Sequence, residues 1–399
     1  MTHPSSDPVC LEKRLLVCCA RTRIQPSIAE RIRELAAGPL DWDYVFSEAA
    51  ENCLIPLLAR SLSCSAPDLV PPEQMKRLAD AVRANVARCL ILSAELIKIM
   101  ELFQAADILA IPYKGPISAA QAYGDVTLRE FEDLDIILRQ RDMPKANEIM
   151  TRFGYRARSP WILSPGAASS LIPGEYNYRD ESRRMMVELH TELTLRHFPR
   201  PPDIDDLARR LVPVALGGHE IRTFAPEDAL PALCIHGSKD FWERISWVAD
   251  IAELVQADPS FDFDVAFRRA ESWRALRMFH LGLALAAELL DAPLPPDVRS
   301  RAQDDRVAAH VASEVSERLL SRPTRTLDAA GRFRFRRCMV EGALAGWRYA
   351  IRLAVVPAEE DWQMIRLPGP LAPLYVALRP LRLLRKYGSG SGRVAGLFA

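Results

Sequence analysis

The 399-residue chain lacks any run of about 18 uninterrupted apolar residues, so no membrane-spanning helix is expected. The best candidate for one, Cys338 to Pro357, is broken by Glu341, Arg348 and Arg352. The opening residues, MTHPSSDPVCLEKR, show no basic stretch followed by an apolar core, and a secretory signal is not expected. Eight cysteines are scattered without a single CxxC pair, and the adjacent Cys18 and Cys19 read as helix core rather than as metal ligands. In a chain this long that usage suits free thiols in a reducing compartment, and a cytoplasmic location is expected. There is no excess of either charge: 52 Lys and Arg stand against 52 Asp and Glu, which excludes a global pull toward nucleic acid or an anionic membrane. A Walker loop, GxxxxGK[ST], is absent, and so is any internal repeat.

What remains is an ordinary globular composition, 49% hydrophobic and 26% charged, in a chain long enough for two or three packed units. Charge is nevertheless uneven. Residues 321–399 hold 14 Arg and Lys against 5 Asp and Glu, so the remainder is acidic by the same margin. The runs RFRFRR and RPLRLLRK concentrate that basic charge, and intramolecular packing on the acidic remainder competes with docking on nucleic acid or lipid.

The first hundred residues read as helices. Pro26 opens one that Gly38 and Pro39 close, and Asp41 can cap the next. Between about Glu73 and Ala106 lies a long segment without Gly or Pro, whose Leu78, Val82, Val86, Leu90, Leu96 and Leu102 form an apolar stripe. The pattern then changes. Leu109–Tyr113 is β-prone, PISAAQAYG is helical, and DLDIILR alternates as a half-buried strand does. Pro144 opens a helix that Gly154 ends, and EYNYRD and RMMVELH read as two further strands. From Pro202 onward helices return, with one hairpin around Gly217 and Gly218, and the chain runs out through GSGSG.

Three features carry chemistry. On a strand, Asp133 and Asp135 share one face, an arrangement that repels itself unless a cation lies between the carboxylates; Mg²⁺ suits a few carboxylates plus substrate phosphates. A solvated strand end is the competing reading. In MVELH, Glu188 and His190 share a face, so Glu188 becomes a third carboxylate if the two strands are neighbours. Otherwise both are ordinary strand residues. In Tyr113-Lys114-Gly115-Pro116, the glycine lets backbone approach a ligand, the following helix N-terminus favours phosphate, and Lys114 can neutralise it. A plain Gly-Pro turn fits the same residues.

The stretch YKGPISAAQAYGDVTLREFEDLDIILRQRDMPKANEIMTRFGY, followed by VELH, resembles the uncharacterised bacterial nucleotidyltransferase family of the polymerase-β-type superfamily. The similarity lies in the Lys-Gly strand end, a tyrosine and an arginine ahead of the aspartate pair, and a helix ending in Gly-Tyr. It extends to LIPLLARSL on one side and HGSKDFWERISWVADIAELV on the other, from about residue 13 to about 386. The resemblance implies an α+β fold. A small nucleotidyltransferase α/β core with a mixed sheet (106–200) is flanked by an N-terminal helical region (1–105) and a C-terminal helical region (201–386), with a flexible tail at 387–399.

By the same resemblance the metal carboxylates are Asp133, Asp135 and Glu188, holding Mg²⁺ or alternatively Mn²⁺. The superfamily's Gly-Ser turn is only half present: Pro116 follows Gly115, and Ser118 comes three residues after that glycine. Lys114 is then expected to take part of the triphosphate. Arg129, His190, His236 and Lys239 complete the nucleotide-binding candidates. An ion pair with Glu130 or Glu132 competes for Arg129, and a solvated helix face competes for His236 and Lys239. The implied activity is Mg²⁺-dependent transfer of a nucleoside monophosphate from an NTP, ATP among the four, to an acceptor that the sequence does not name. Relatives found beside genes for ribosomal peptides or surface polysaccharides leave a peptide, a sugar or a protein side chain open, peptide tailoring among them. The alternative is a degenerate, non-catalytic module that binds a nucleotide or a protein.

Overall fold

A computed structural model describes residues 10–158, 174–182, 185–193, 202–324, 326–342, 344–357, 361, 364, 365, 367 and 369–387. The GSGSG tail lies outside these. Helices α1 (Leu11–Cys19), α2 (Pro26–Ala36), α3 (Trp42–Glu51), α4 (Ile55–Ser65) and α5 (Pro72–Ala105) open the chain. Their starts follow local chemistry. Pro26 sits at the first position of α2, where its missing N–H costs nothing, and the Asp41 carboxylate accepts the Tyr44 N–H of α3 at 3.1 Å.

The buried line on α5 differs from the aliphatic stripe. Leu78, Asn85, Cys89, Leu92, Leu96, Ile99 and Phe103 face inward, whereas Leu90 is exposed. The reason is polar: Asn85 donates to the Thr127 carbonyl at 2.9 Å, satisfying a half-buried turn that an aliphatic side chain would leave unpaired.

Five strands follow: β1 (Ala110–Pro112), β2 (Asp133–Leu138), β3 (Arg156–Ala157), β4 (Glu175–Asp180) and β5 (Met185–His190). They form one mixed sheet in the order β1-β2-β5-β4-β3, in which only β2 and β5 run parallel. Helices α6 (Pro116–Tyr123) and α7 (Met143–Arg152) lie between the early strands. Leu134, Ile136, Leu138, Tyr176, Tyr178, Val187 and Leu189 alternate onto one sheet face and join a core with Leu92, Leu96 and Phe103 of α5. That leaves the opposite face to the polar alternates.

After α8 (Ile204–Ala208), strands β6 (Val212–Leu216) and β7 (His219–Thr223) form a hairpin turned by Gly217 and Gly218, both at positive φ as such a two-residue turn demands. Helices α9 (Pro226–Lys239), α10 (Ile245–Ala257), α11 (Phe263–Ser272), α12 (Leu276–Leu290), α13 (Pro296–Asp304), α14 (Arg306–Leu320), α15 (Ala329–Met339) and α16 (Ala345–Val355) come next, and a last helix spans Tyr375–Tyr387. Side chains of α1 to α4 and of α9 to α14 share a single apolar core. Among the described residues no helix is long and apolar enough to cross a membrane. The basic runs pack inward in part: Arg336 reaches the Lys239 carbonyl, Arg332 meets Glu243, and Arg379 and Arg382 both pair with Asp361.

One carboxylate ties α4 to the sheet. Glu130 Oε2 accepts the Ile55 N–H at 2.9 Å, filling an orphan donor at a helix start. Burial pushes the Glu130 carboxyl up to about 7, against that N–H and Arg88, which favour the charged form. Because the folded value exceeds the unfolded one, stability contributed at this position is lost as pH rises from about 4.5 to 7. Glu130→Gln should therefore gain roughly 3 kcal/mol over wild type between pH 4.5 and 8 in paired urea titrations. A pH-independent difference between the two proteins would contradict this.

Candidate active site

The polar face of the sheet is assembled by register. Cross-strand partners project to the same side. Asp135 stands opposite Glu188, which stands opposite Asn177; Ile137 stands opposite His190, which stands opposite Glu175. Asp133, two residues before Asp135, shares that side. Three adjacent strands thus carry four carboxylates. Glu175 was not singled out in the sequence, although its two-residue spacing from Asn177 would have placed it beside His190 once EYNYRD and RMMVELH were paired as a hairpin.

Lys114 is delivered from the junction of β1 and α6. Gly115 there has φ +61°, and a Cβ would lie 3.1 Å from the Asp133 carbonyl oxygen, so conformation and space both call for glycine. Lys114 Nζ reaches Asp135 Oδ1 at 2.6 Å. His190 Nε2 lies 3.0 Å from the same oxygen and 3.5 Å from Glu188 Oε2, while its ring takes the Tyr113 ring edge-on. Ser118 is buried within the first turns of α6.

The electrostatics split the aspartates. Burial, reinforced by the Asp135 charge, pushes Asp133 up to about 6. Burial acts on Asp135 in the same sense, but Lys114 and His190 outweigh it and hold that carboxyl well below the usual range. Lys114 and His190 are themselves raised: burial opposes their charge, and the facing carboxylates win. One ammonium and one imidazole thus offset a surplus of negative charge.

Helix α9 closes one side. Lys239 Nζ pairs with Glu175 Oε2 at 2.9 Å, and His236 Nδ1 lies 3.2 Å from Asp240 with its ring against Trp247. Burial and the nearby Lys114 charge keep His236 below its ordinary value. This is no solvated helix face. The turn after α9 holds Phe241 and Trp242 at φ 61° and 52°, two buried non-glycine residues in the left-handed region, which fixes the end that presents Lys239.

Arg129 is placed differently from the sequence expectation. Its Nε and Nη2 each donate to the Asp250 carboxylate at 2.8 Å, and the Tyr123 hydroxyl donates to Asp250 Oδ1 at 2.8 Å. The partner is neither Glu130, which caps α4, nor Glu132, which faces Arg88. This fork joins the turn that leads into β2 to α10.

Carboxylate oxygens of Asp135 and Glu188 and a ring nitrogen of His190 all lie within 4.8 Å of one another, the one such grouping among the described residues. A hard, oxygen-rich donor set with excess negative charge fits a divalent cation. Asp133 flanks this group rather than joining it.

Residues 38–291 match the model of a family described as uncharacterised nucleotidyltransferase. The chain belongs to that family. The match spans α3 to α12 and therefore contains the whole carboxylate face, Lys114 and Asp250. As a nucleotidyltransferase it also shows weak likeness to solved structures. One is the lincosamide antibiotic adenylyltransferase LnuA bound to lincomycin (15% identity, 41% of this chain and 97% of that one, TM-score 0.30). Another is an antigenic nucleotidyltransferase-like protein from Paracoccidioides brasiliensis (12% identity, 54% and 91%, TM-score 0.30). No curated protein matches the sequence.

Removing the carboxylate behind Arg129 leaves a buried guanidinium without its partner. Asp250→Ala should cost about 3 kcal/mol or more in chemical denaturation. A loss below about 1 kcal/mol would show that the fork contributes little.

Proposed function

We propose that this nucleotidyltransferase transfers a nucleoside monophosphate from an NTP to an acceptor hydroxyl, with Asp133, Asp135 and Glu188 holding Mg²⁺. The observation that supports this most is the direct pairing of Asp135 with Glu188 across parallel strands, with Asp133 on the same face. A divalent cation bound there supplies charge neutralisation for the triphosphate and for the attacking oxygen.

The chain's own groups do the rest. Lys114, an ammonium at the end of a flexible stem, exchanges Asp135 for a phosphate oxygen. The Gly115 turn and the start of α6 offer close backbone to the phosphates. Lys239 and His236 border the donor pocket from α9. Glu188 is the most open of the clustered ligands, with 16% side-chain exposure against 2% for Asp135. That suits it to take the acceptor proton. The acceptor oxygen then bonds to the α-phosphorus, the bridge to the β-phosphate breaks, and pyrophosphate leaves. Positioning and charge neutralisation supply most of the rate. The acceptor class, a peptide, a sugar or a protein side chain, is not specified by these groups.

A second reading, a binding module without turnover, is favoured only by Pro116 standing where the superfamily has a phosphate-contacting serine. Calorimetry with ATP, GTP, CTP and UTP, in Mg²⁺ and in chelator, separates the two. Metal-dependent binding should weaken at least about tenfold in Asp133→Ala/Asp135→Ala, and each single variant should abolish pyrophosphate release from folded protein. Binding indifferent to both metal and the double substitution would overturn the catalytic reading.

A further inference from the structure

The family match ends at residue 291, yet helices beyond it reach back toward the carboxylate face. Helix α9 stops at Lys239, the residue that pairs with Glu175, and its last turn leaves carbonyls that no further turn of helix can fill. The chain then passes through Phe241 and Trp242, both at positive φ without being glycine. The turn is packed from within. The Trp242 N–H donates to the Gly237 carbonyl at 2.7 Å, the indole N–H donates to Ser238 Oγ at 3.3 Å, and a Cβ on Gly237 would lie 2.7 Å from the Trp242 ring. Two arginines hold it from the C-terminal helices. Arg336 of α15 donates to the Lys239 carbonyl at 3.2 Å, and Arg318 of α14 donates to the Phe241 carbonyl. The Arg336 guanidinium also lies 4.6 Å from the centre of the Phe241 ring, which Phe335 meets edge-on at 5.6 Å.

Both arginines are buried, Arg318 at 8% exposure and Arg336 at 9%, and burial pulls each guanidinium below the ordinary arginine value. A cation taken out of water is costly unless it gains strong partners. Here the partners include main-chain carbonyls at the end of a helix, where positive charge also faces the negative pole of the helix dipole. We propose that Arg336 and Arg318 are positioning residues of the donor site: by fastening the carbonyls on either side of Asp240, they fix the end of α9 from which Lys239 reaches Glu175. The inference rests on the donor-pocket role given to Lys239 above. The lever is short, because Arg336 grips the main chain of Lys239 itself, so a shift there carries the ammonium with it. The working unit therefore extends past the matched residues to α14 and α15, whose two arginines act through backbone.

The test compares Arg336→Leu, Lys239→Ala and the double variant, each melted first to show a folded chain. Calorimetry with Mg²⁺ and whichever of ATP, GTP, CTP and UTP binds wild type best gives one readout. Arg336→Leu should weaken binding at least about tenfold, as Lys239→Ala does. The double variant should stay within about twofold of Lys239→Ala, since the arginine acts through the lysine. A second readout needs no nucleotide. The Nζ resonance of Lys239, located by its disappearance in Lys239→Ala, should move in Arg336→Leu toward that of a solvated lysine. If Arg336→Leu does not fold, Arg318→Leu, which frees the other carbonyl, carries the same comparison. Additive losses in the double variant, or a Lys239 resonance that does not move, overturn the inference. Lys239→Ala binding NTP as wild type does, while the resonance still moves in Arg336→Leu, overturns the donor-pocket role of Lys239 and upholds the positioning of its ammonium.

Discussion

Four carboxylates on three neighbouring strands repel one another, and burial magnifies that repulsion because the interior screens charge poorly. The Lys114 ammonium on Asp135 is the interaction that makes this face tolerable without a bound ion. Its position depends on Gly115, since any side chain there would press on the Asp133 carbonyl. The backbone turn, the ammonium and the aspartate therefore form one constraint. What looks in sequence like a Gly-Pro punctuation mark is the device by which one strand end reaches across its neighbour.

The same electrostatic need ties the core to the helices around it. Glu175 draws Lys239 down from α9, and Arg129 runs out from the sheet to Asp250 on α10. Both bridges cross from the sheet to the helical half, one beside the site and one behind it. A helix that supplies a cation to the site is in this way also held in register with it. The strained turn at Phe241 and Trp242 anchors the end of α9, so the Lys239 position is set by packing rather than by a mobile side chain alone. The C-terminal basic charge divides similarly. Arg379 and Arg382 are spent on Asp361, whereas Arg332 meets Glu243 and Arg336 reaches the Lys239 carbonyl.

Much of this was legible locally. Proline starts, an aspartate cap, two-residue glycine turns and the alternation of DLDIIL act over a few residues, so the elements they specify could be read without knowing the fold. Asp133, Asp135, Glu188 and His190 were legible too, because a strand's period of two puts such pairs on one side whatever lies next to it. The inward face of α5 was less so: Asn85 outranks Leu90 only because a distant turn at Thr127 needs a donor.

The sequence by itself determined which residues bear charge on which face of each strand, where helices begin and end, and that Lys114 sits at a Gly-Pro turn before a helix. The tertiary structure alone decided who meets whom. It put β5 beside β2, brought in Glu175 as a fourth carboxylate, and gave Arg129 to Asp250 rather than to its sequence neighbours. The physical reason is range. Backbone preference and periodicity are properties of a few consecutive residues, whereas charge compensation and burial depend on partners a hundred or more positions away, as Arg129 and Asp250 are.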